Sequence, residues 1–572
     1  MSDLKNPASI TVDQYDVAIL GGGLAGLTLA LQIKKARPES RILVVEKQKH
    51  PVPEAAYKVG ESTVEIASFY LGVTLGLKEH IQTQQLRKFG LRFFFSAENN
   101  QDITQRVELG LAAPHFIPSY QLDRGRLENA LGLEVQQQDI IFLDACKVEQ
   151  VSLQHEAHSL HLRQGEKEFN ILAHWVVDAS GRSSLLKRQL ELAKKVDHHA
   201  NAVWFRVSQK IDIDTWSDNA EWHARIKNGE RYLSTNHLCG KGYWVWLIPL
   251  ASGSTSVGIV TDPAYHSFDT LNRFDRALEW LHSHEPQCAT IIEKHLTDIQ
   301  DFRVMKQYSY SCQQVFSSDR WCLTGEAGVF VDPLYSPGSD FIAISNSFIS
   351  DLISRELNGE DVRRRTIAYN HVYLSMANAW FGIYEQQYGL LGDAQVMVAK
   401  YIWDTAVYWG GFGLLYFHNK IHALADNRKL SANLHRLTVL GTRIQEFFRE
   451  WSAIDQPVVP NTFVDHYNTL NFMKNFHLGL TANLTDTELD AQFIENIQFL
   501  ERLAGQVVSK VIEECTISAN NDIARNQIQS WQADPILSRV ISIHQQADAS
   551  DPIDHSWIYL AQQSRYEEEI PS

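Results

Sequence analysis

A glycine-rich turn near the start of the chain limits the choice of fold more than any other segment. The apolar run 15–20 has the length of a strand, and it leads into Gly21, Gly23 and Gly26, spaced as GxGxxG, and then into the helix-forming run 27–33. Glycines at this spacing let the backbone turn tightly and approach a pyrophosphate, whose charge then lies at the helix N-terminus. Strand, turn and helix in this order predict an α/β domain that binds a dinucleotide.

A second predicted strand, residues 41–46, supports the same fold. It ends in Glu46, about 20 residues after Gly26, where an acid can accept hydrogen bonds from the adenosine ribose. The sequence holds no second strand–GxGxxG–helix unit, so we expect a single dinucleotide site. Besides the three glycines, the expected contacts in this part of the chain are Leu24, Ala25, Glu46 and Lys47.

Three later segments distinguish FAD from NAD. Residues 120–127 contain Arg124, and two strand-like runs end in small-residue turns, one at Asp178 and the other at Gly325 and Glu326. This order resembles the FAD fold of aromatic hydroxylases and geranylgeranyl reductases, in which such segments flank the dinucleotide and the flavin ribityl chain. The resemblance implies FAD contacts at Arg124, Asp178, Gly325 and Glu326. Glu326 stands where the related turns carry Asp.

Composition and charge exclude several other classes of protein. The formal net charge of −16 repels phosphate backbones, so nucleic acid is not an expected partner. The six cysteines form no CxxC pair, which indicates reduced thiols in a cytoplasmic protein and no metal site. The N-terminus is polar, and no run reaches the roughly 18 apolar residues of a spanning helix, so we expect neither a signal peptide nor a membrane span. The longest apolar stretch is interrupted by the glycines of the run 410–413, which indicate a helix break.

Two further segments narrow the range of reactions that a flavoprotein of this kind could catalyse. The first is the run 58–63, which contains Gly60-Glu61-Ser62 and is followed by the run 86–95; the second is the WxWxIP sequence in the run 243–249. Together they resemble the flavin-dependent halogenases, over roughly the first 345 residues. The resemblance implies flavin contacts at Gly60, Glu61 and Ser62. It also implies FADH2 supplied by a transiently bound flavin reductase, with O2 and chloride or bromide as co-substrates.

The same resemblance assigns roles to three side chains. Trp244 and Trp246 align with bulky residues that keep the organic substrate away from the flavin. Lys88 aligns with the lysine that receives hypohalous acid, either as an ammonium that polarises the O–X bond or as an amine that forms a haloamine, because burial lowers a lysine pKa. From the residues alone, the tryptophans fit a core strand equally well, and Lys88 fits a solvated surface. Lys58 is a weaker candidate than Lys88 for this catalytic lysine, because it precedes the turn at Gly60-Glu61-Ser62.

The run 331–338 departs from the tryptophan halogenases at two positions. Tyr335 stands where they carry a glutamate that helps an indole lose its ring proton, and family members acting on phenols and pyrroles also lack that glutamate. The resemblance therefore implies an electron-rich phenol- or pyrrole-like substrate, either free or bound to an acyl or peptidyl carrier protein. Pro337 lies at the expected halide turn and has no N–H, so Gly338 must carry more of the halide contact. Pro333 is expected to contact FAD.

The last part of the chain has a helical period and many aromatic residues. Tyr369, Tyr373, Trp380, Tyr384 and Tyr388 include pairs at i, i+4 spacing, which fit either a helical core or the aromatic face of a lid over the substrate. The basic run 363–365, just before them, is either an ion-paired helix start or a contact for a carrier protein or a carboxylate.

The predicted fold class is α/β: a Rossmann-like FAD-binding domain with an inserted mixed β-sheet substrate domain and a mainly α-helical C-terminal region. We expect the FAD-binding domain in residues 1–200, with a substrate-side segment near 85–115, and again in 301–355. The substrate sheet is expected in 201–300 and the helical region in 356–572.

The predicted function is halogenation of an aromatic ring, and two alternatives stay open. One is an FAD-dependent monooxygenase or dehydrogenase of the same fold that does not use halide. The other is a non-catalytic flavin-binding partner of a biosynthetic assembly. A product that contains halogen would favour the predicted halogenase over the first alternative. O2 consumption faster than that of free reduced flavin would favour an enzyme over the second alternative.

Overall fold

The computed structural model describes residues 13–54, 59–97, 99–459, 461–518, 522–546 and 557–560; Lys58 lies outside them. The strands of this part of the chain are, in order, β1 (Asp13–Leu20), β2 (Ile42–Val45), β3 (Leu86–Lys88), β4 (Leu91–Phe95), β5 (Glu108–Gly110), β6 (Ser119–Gln121), β7 (Ile141–Leu143), β8 (Cys146–Ser152), β9 (His158–Gln164), β10 (Lys167–Asp178), β11 (Ala193–Lys194), β12 (Asn201–Val207), β13 (Thr235–Gly240), β14 (Tyr243–Pro249), β15 (Thr255–Thr261), β16 (Arg303–Met305), β17 (Ser311–Cys312), β18 (Trp321–Leu323) and β19 (Phe463–Asp465).

The α-helices of the same residues are, in order, α1 (Leu24–Ala36), α2 (Glu65–Phe69), α3 (Lys78–Gln84), α4 (Arg124–Gln137), α5 (Leu185–Gln189), α6 (Ala220–Ala224), α7 (Phe274–His284), α8 (Pro286–Glu293), α9 (Gly338–Leu357), α10 (Arg363–Tyr384), α11 (Ala394–Val407), α12 (Leu414–Phe417), α13 (Arg428–Ile454), α14 (Asn471–Gly479), α15 (Asp486–Ser518), α16 (Asp522–Ala533) and α17 (Pro535–Gln545).

The first sheet carries the glycine turn. Its strands lie in the order β7-β2-β1-β10-β9-β8, with β18 beside β10. Strands β1, β2, β10 and β18 run parallel, and the register aligns Leu20 with both Val45 and Asp178. Strand β2 is buried along its whole length, as expected for a parallel strand covered on both faces. The carboxyl ends of these strands therefore meet at one edge, where the turn that begins at Gly21 opens.

The second sheet carries the WxWxIP sequence. Among the described residues its strands lie in the order β16-β12-β15-β14-β13-β4-β5-β19. Because side chains alternate along a strand, Trp244, Trp246 and Ile248 of β14 pack into the core that this sheet shares with the first sheet. Tyr243 and its alternate neighbours along β14 pack into a separate apolar cluster under α7 and α8. Both faces of β14 are thus buried, and the tryptophans share the face toward the first sheet.

The C-terminal helices contribute to the second sheet as well as covering it. Strand β19, between α13 and α14, pairs in parallel with β5 at the sheet edge, a pairing that the sequence did not predict. The glycines of the run 410–413 were expected to break a helix. Instead, residues 408–413 form a π-helical segment that connects α11 to α12. Among the described residues, no helix has the length and hydrophobicity needed to cross a membrane.

Candidate active site

A cleft of about 790 Å³ opens at the carboxyl edge of the first sheet, within the size range of cofactor pockets. Gly23 is the N-cap residue of α1, and no side chain caps this helix end, so its N–H groups are available to a pyrophosphate. The predicted FAD contacts that line the cleft are Gly21, Gly23, Leu24, Ala25, Glu46, Lys47, Gly60, Glu61, Ser62, Arg124, Gly325, Glu326 and Pro333.

Hydrogen bonds hold the charged groups of the cleft in place. The Glu46 carboxylate accepts from Gly22 N and from Gln48 N, each at 2.7 Å. A carboxylate has about four lone-pair sites, so Glu46 keeps capacity for ribose hydroxyls. Arg124 donates to the Val59 carbonyl at 2.9 Å and thereby braces the turn at Gly60, whose φ is +86°. These donors and acceptors fit the adenosine and pyrophosphate parts of FAD.

Two predicted FAD contacts need correction, because neither Gly26 nor Asp178 lines the cleft. A Cβ on Gly26 would lie 1.9 Å from the Gly21 carbonyl oxygen, so this glycine allows α1 to pack closely against the turn. Asp178 is fully buried, and its carboxylate accepts from Ser180 N at 2.9 Å and from Leu186 N at 2.8 Å. Its role is to shape the turn after β10.

Trp244 and Trp246 both line the cleft, and both rings are fixed by their indole N–H groups. Trp244 Nε1 donates to Tyr388 Oη at 3.0 Å, and Trp246 Nε1 donates to Ser256 Oγ at 3.1 Å. The Tyr388 hydroxyl donates in turn to the buried Asp332 carboxylate at 2.6 Å. The tryptophans are therefore both core residues and rigid walls of the cleft.

Lys88, on β3, lines a second cavity of about 110 Å³. Its side chain is buried, and Nζ donates to Ser62 Oγ at 2.8 Å and to the Thr63 carbonyl at 2.9 Å. Burial lowers the pKa of Lys88 to about 7, against the attraction of Glu65 and Asp340. The amine is not a solvated surface group, and both of its protonation states are accessible near neutral pH.

The wall between the cleft and the Lys88 cavity is the segment 333–340, which contributes residues to both spaces. Pro333, Ser336, Gly338 and Ser339 line the cleft, whereas Tyr335, Pro337 and Asp340 line the cavity. Of the described residues, none lines both spaces. Tyr335 and Ser336 have φ values of +70° and +61°, a left-handed backbone that costs about 1–3 kcal/mol per residue and tends to occur at functional sites.

The halide turn predicted at Pro337 and Gly338 lies in this wall. Pro337 is the N-cap residue of α9, and no side chain caps the helix. Because proline has no N–H, the first donor of this helix end is that of Gly338, which faces the cleft. Tyr335 packs edge-on against Phe93 and Tyr401, at ring distances of 6.0 and 5.7 Å.

Several residues of the Lys88 cavity were missed by the sequence interpretation. Glu65, His115 and Asp340 line it together with aromatic residues of the C-terminal helices, which are Trp380, Tyr401, Trp403, Tyr408, Trp409 and Phe412. The helical region is thus part core and part cavity wall, since Tyr369 and Tyr373 are buried away from the cavity. In the sequence, only the i, i+4 spacing of the aromatic residues indicated that these helices line the cavity.

Two of the three arginines of the basic run at the start of α10 are ion-paired. Arg363 contacts Asp361, and Arg365 contacts Asp426. These pairs favour the interpretation of a charged helix start over a docking site for a carrier protein.

Fold and cleft together define an FAD-dependent oxidoreductase. Residues 14–363 match the FAD binding domain family, and the chain belongs to that family. A flavin-dependent halogenase, chlA, of Dictyostelium discoideum is 25% identical over 441 residues, which are 70% of this chain and 70% of that protein. A Pseudomonas fluorescens chlorinase of 1H-pyrrole-2-carbonyl on a peptidyl-carrier protein is 26% identical over 402 residues, 64% of this chain and 82% of that protein.

Solved structures agree with these sequence matches. The crystal structure of halogenase PltM with phloroglucinol and FAD superposes with a TM-score of 0.60 at 18% identity, over 86% of this chain and 96% of that chain. The predicted α/β FAD-binding fold, the FAD cofactor and the resemblance to flavin-dependent halogenases are confirmed. The predicted domain boundaries and the cytoplasmic location stay predictions.

Proposed function

We propose that this protein is a flavin-dependent halogenase that acts on one small, electron-rich aromatic ring held beside Lys88. The single observation that carries the proposal is the placement of a buried amine in a cavity that a continuous segment separates from the FAD cleft. Reduced FAD and O2 supply the oxidising equivalent that converts chloride or bromide into hypohalous acid. The relatives named halogenases support this chemistry.

Each side of the wall has a distinct part in the proposal. On the cleft side, Trp244 and Trp246 exclude an organic ring from the flavin, while the Gly338 N–H at the start of α9 holds halide. On the cavity side, Lys88 donates a hydrogen bond to the oxygen of hypohalous acid and polarises the O–X bond. The hydrogen bond of Lys88 to Ser62, which lines the cleft, supports this role, because it connects the amine to the space in which the oxidant is made.

The size of the cavity supports a single-ring substrate. Its volume of about 110 Å³ is of the same order as the roughly 150 Å³ engineered cavity that binds benzene. A phenol or pyrrole fits this space and supplies its own electron density to the reacting carbon, so Tyr335 need not act as a base. The substrate is either free or tethered to a carrier protein, as in the name of the Pseudomonas relative. A separate flavin reductase supplies FADH2.

Halide dependence tests the proposal against a monooxygenase or dehydrogenase that does not use halide, an alternative that the missing N–H of Pro337 favours. The protein is incubated with FAD, a flavin reductase, NADH, O2 and bromide, and with a panel of phenols, pyrroles and indoles. Products that carry the bromine isotope pattern, and that disappear without bromide, are expected for phenols or pyrroles. Hydroxylated products, or efficient halogenation of free tryptophan in place of phenols and pyrroles, contradict the proposal.

A further inference from the structure

A carboxylate and two imidazoles form a cluster at the wall of the Lys88 cavity, and no step described so far uses them. Glu65 Oε1 lies 3.6 Å from His477 Nε2 and 3.9 Å from His115 Nδ1. Glu65 and His115 line the cavity, and His477, from α14, is fully buried behind them. His477 Nδ1 is held by the Tyr467 hydroxyl at 3.1 Å, which orients Nε2 toward Glu65.

The cluster contains imidazole nitrogen atoms without an internal hydrogen-bond partner. Among the described residues, neither His115 Nε2 nor His477 Nε2 has a hydrogen-bond partner. Burial holds the pKa of His115 well below its ordinary value, so this imidazole is neutral. Burial opposes ionisation of Glu65, yet the nearby His477 imidazole outweighs burial and keeps the pKa of Glu65 lowered. A buried polar atom without a partner is destabilising, so this end of the cavity favours a ligand that brings an acidic O–H or N–H.

A metal ion is the other ligand that such a cluster suggests, and the geometry favours it less. Zinc–nitrogen bonds of about 2.0–2.1 Å place tetrahedral ligand atoms about 3.3 Å apart. Both distances from Glu65 to the imidazole nitrogens exceed that spacing. The Lys88 amine lines the same cavity and, in its ammonium form, repels a cation.

We propose that Glu65 is the catalytic base that accepts the O–H or N–H proton of the aromatic substrate as the carbon–halogen bond forms, with His115 as a second hydrogen-bond acceptor. This role rests on the proposed halogenation. The ring carbon attacks the halogen of hypohalous acid, the O–X bond breaks, and the departing oxygen takes a proton from the Lys88 ammonium and leaves as water. The substrate O–H proton passes to Glu65, and its bonding electrons delocalise into the ring.

The ring proton at the halogenated carbon is then lost to the neutral Lys88 amine, which restores the ammonium. Glu65 returns its proton to the substrate oxygen, which restores the phenol. The sum is replacement of ring hydrogen by halogen with release of water. A weak base is sufficient, because a phenolic O–H becomes strongly acidic once positive charge develops on the ring. The tryptophan halogenases carry a glutamate where this chain has Tyr335. In this proposal, Glu65 of α2 supplies the carboxylate that is missing from that position.

Glu65→Gln tests this role because it keeps the shape of the side chain and removes the base. The measured quantity is the ratio of wild-type to variant halogenation rate for a phenol that is neutral at the assay pH, and for a fluorinated analogue that is already ionised. We expect a ratio on the order of 10² for the neutral phenol, the range of general base catalysis, and only a few-fold for the ionised one. Glu79→Gln, an exposed substitution on α3, is the matched control.

Two further measurements separate failure of this role from failure of the proposed function. Trapping of hypohalous acid by monochlorodimedone should be the same in wild type and variant; its absence from the wild type contradicts halogenation itself. Equal rate ratios for both phenols contradict the role of Glu65 alone, as does stoichiometric zinc that depends on His477. Flavin absorbance reports folding of each variant. Glu65→Asp, which keeps the charge, should lie between wild type and Glu65→Gln with the neutral phenol.

Discussion

The FAD cleft and the Lys88 cavity meet at one wall, yet they are built in different ways. The cleft is built around backbone features: the glycine turn that begins at Gly21, the uncapped start of α1 and the carboxyl ends of parallel strands. The cavity consists of side chains that come from separate segments, among them Lys88, His115 and Trp409. Local sequence therefore specifies where the cofactor binds, whereas the site of the substrate depends on how the C-terminal helices pack.

Lys88→Ala is expected to have the largest effect, and only on the cavity side. Loss of one hydrogen-bond donor to the reacting oxygen should reduce halogenation by roughly 10²–10³-fold. FAD affinity should change little, because Lys88 itself does not line the cleft and contacts it only through its hydrogen bond to Ser62. Product mass spectrometry and flavin titration measure the two effects, with the exposed Lys78→Ala as control. A parallel loss of FAD binding would show that the two spaces are not independent.

Gly26→Ala should act only on the cleft side. The added Cβ would lie 1.9 Å from the Gly21 carbonyl oxygen, so the turn must shift, at a cost of about 1–3 kcal/mol. We expect the dissociation constant of FAD to rise by about tenfold or more in a fluorescence titration. Gly441→Ala on α13 is the matched control, because its Cβ meets no atom within 4 Å. Unchanged FAD affinity would mean that the close packing of α1 does not position the turn.

The burial of Lys88 should appear as a pH dependence of stability. Its pKa falls from 10.5 to about 7 on folding, so between these pH values the unfolded chain binds a proton that the folded chain does not. The free energy of unfolding should therefore rise with pH in this window by about 1.4 kcal/mol per pH unit more than in Lys88→Met. Below pH 7 the two curves should run parallel. Denaturant unfolding of both proteins measures the difference, and equal slopes above pH 7 would place the amine in water.

Gly338→Ala should have the smallest effect on stability, and it tests the space in front of the wall on the cleft side. A Cβ at this position meets no atom within 4 Å, and alanine suits the first turn of α9 better than glycine. The free energy of unfolding should stay the same or rise by up to about 1 kcal/mol. Thermal unfolding without halide measures it. A loss of more than 1 kcal/mol would mean that another group fills the space in front of Gly338.

The cleft was largely predictable from the sequence because its residues follow the strands that form it. Thirteen of the fifteen predicted FAD contacts line it, and Gly26 and Asp178 do not. Asp178 has the expected place after a strand, but the sequence does not show that its carboxylate is used by the backbone N–H groups of Ser180 and Leu186. The spacing of residues predicts where a carboxylate such as that of Asp178 lies along the chain. It does not predict which N–H groups donate hydrogen bonds to that carboxylate.

The cavity was only partly predictable. Lys88 was found through its neighbours in the run 86–95, whereas Glu65 and His115 have no local pattern that marks them. His477 reaches Glu65 only because α14 follows β19, the strand that pairs with β5. Such contacts arise from chain segments hundreds of residues apart, and a single sequence carries no periodicity that reports them. The C-terminal helical period was correct, but it did not show which aromatic residues face the substrate.

The close mixing of cleft and cavity residues along the segment 333–340 has a practical consequence for engineering. Tyr335 and Pro337 of the cavity are chain neighbours of Ser336 and Gly338 of the cleft, so enlarging Pro337 or trimming Tyr335 to admit a larger ring also disturbs Ser336 and Gly338. Variants made to broaden substrate scope at this wall should therefore be judged by the amount of O2 consumed per molecule of halogenated product. If the wall no longer separates the cleft from the cavity, O2 consumption without halogenation should rise before the product yield falls.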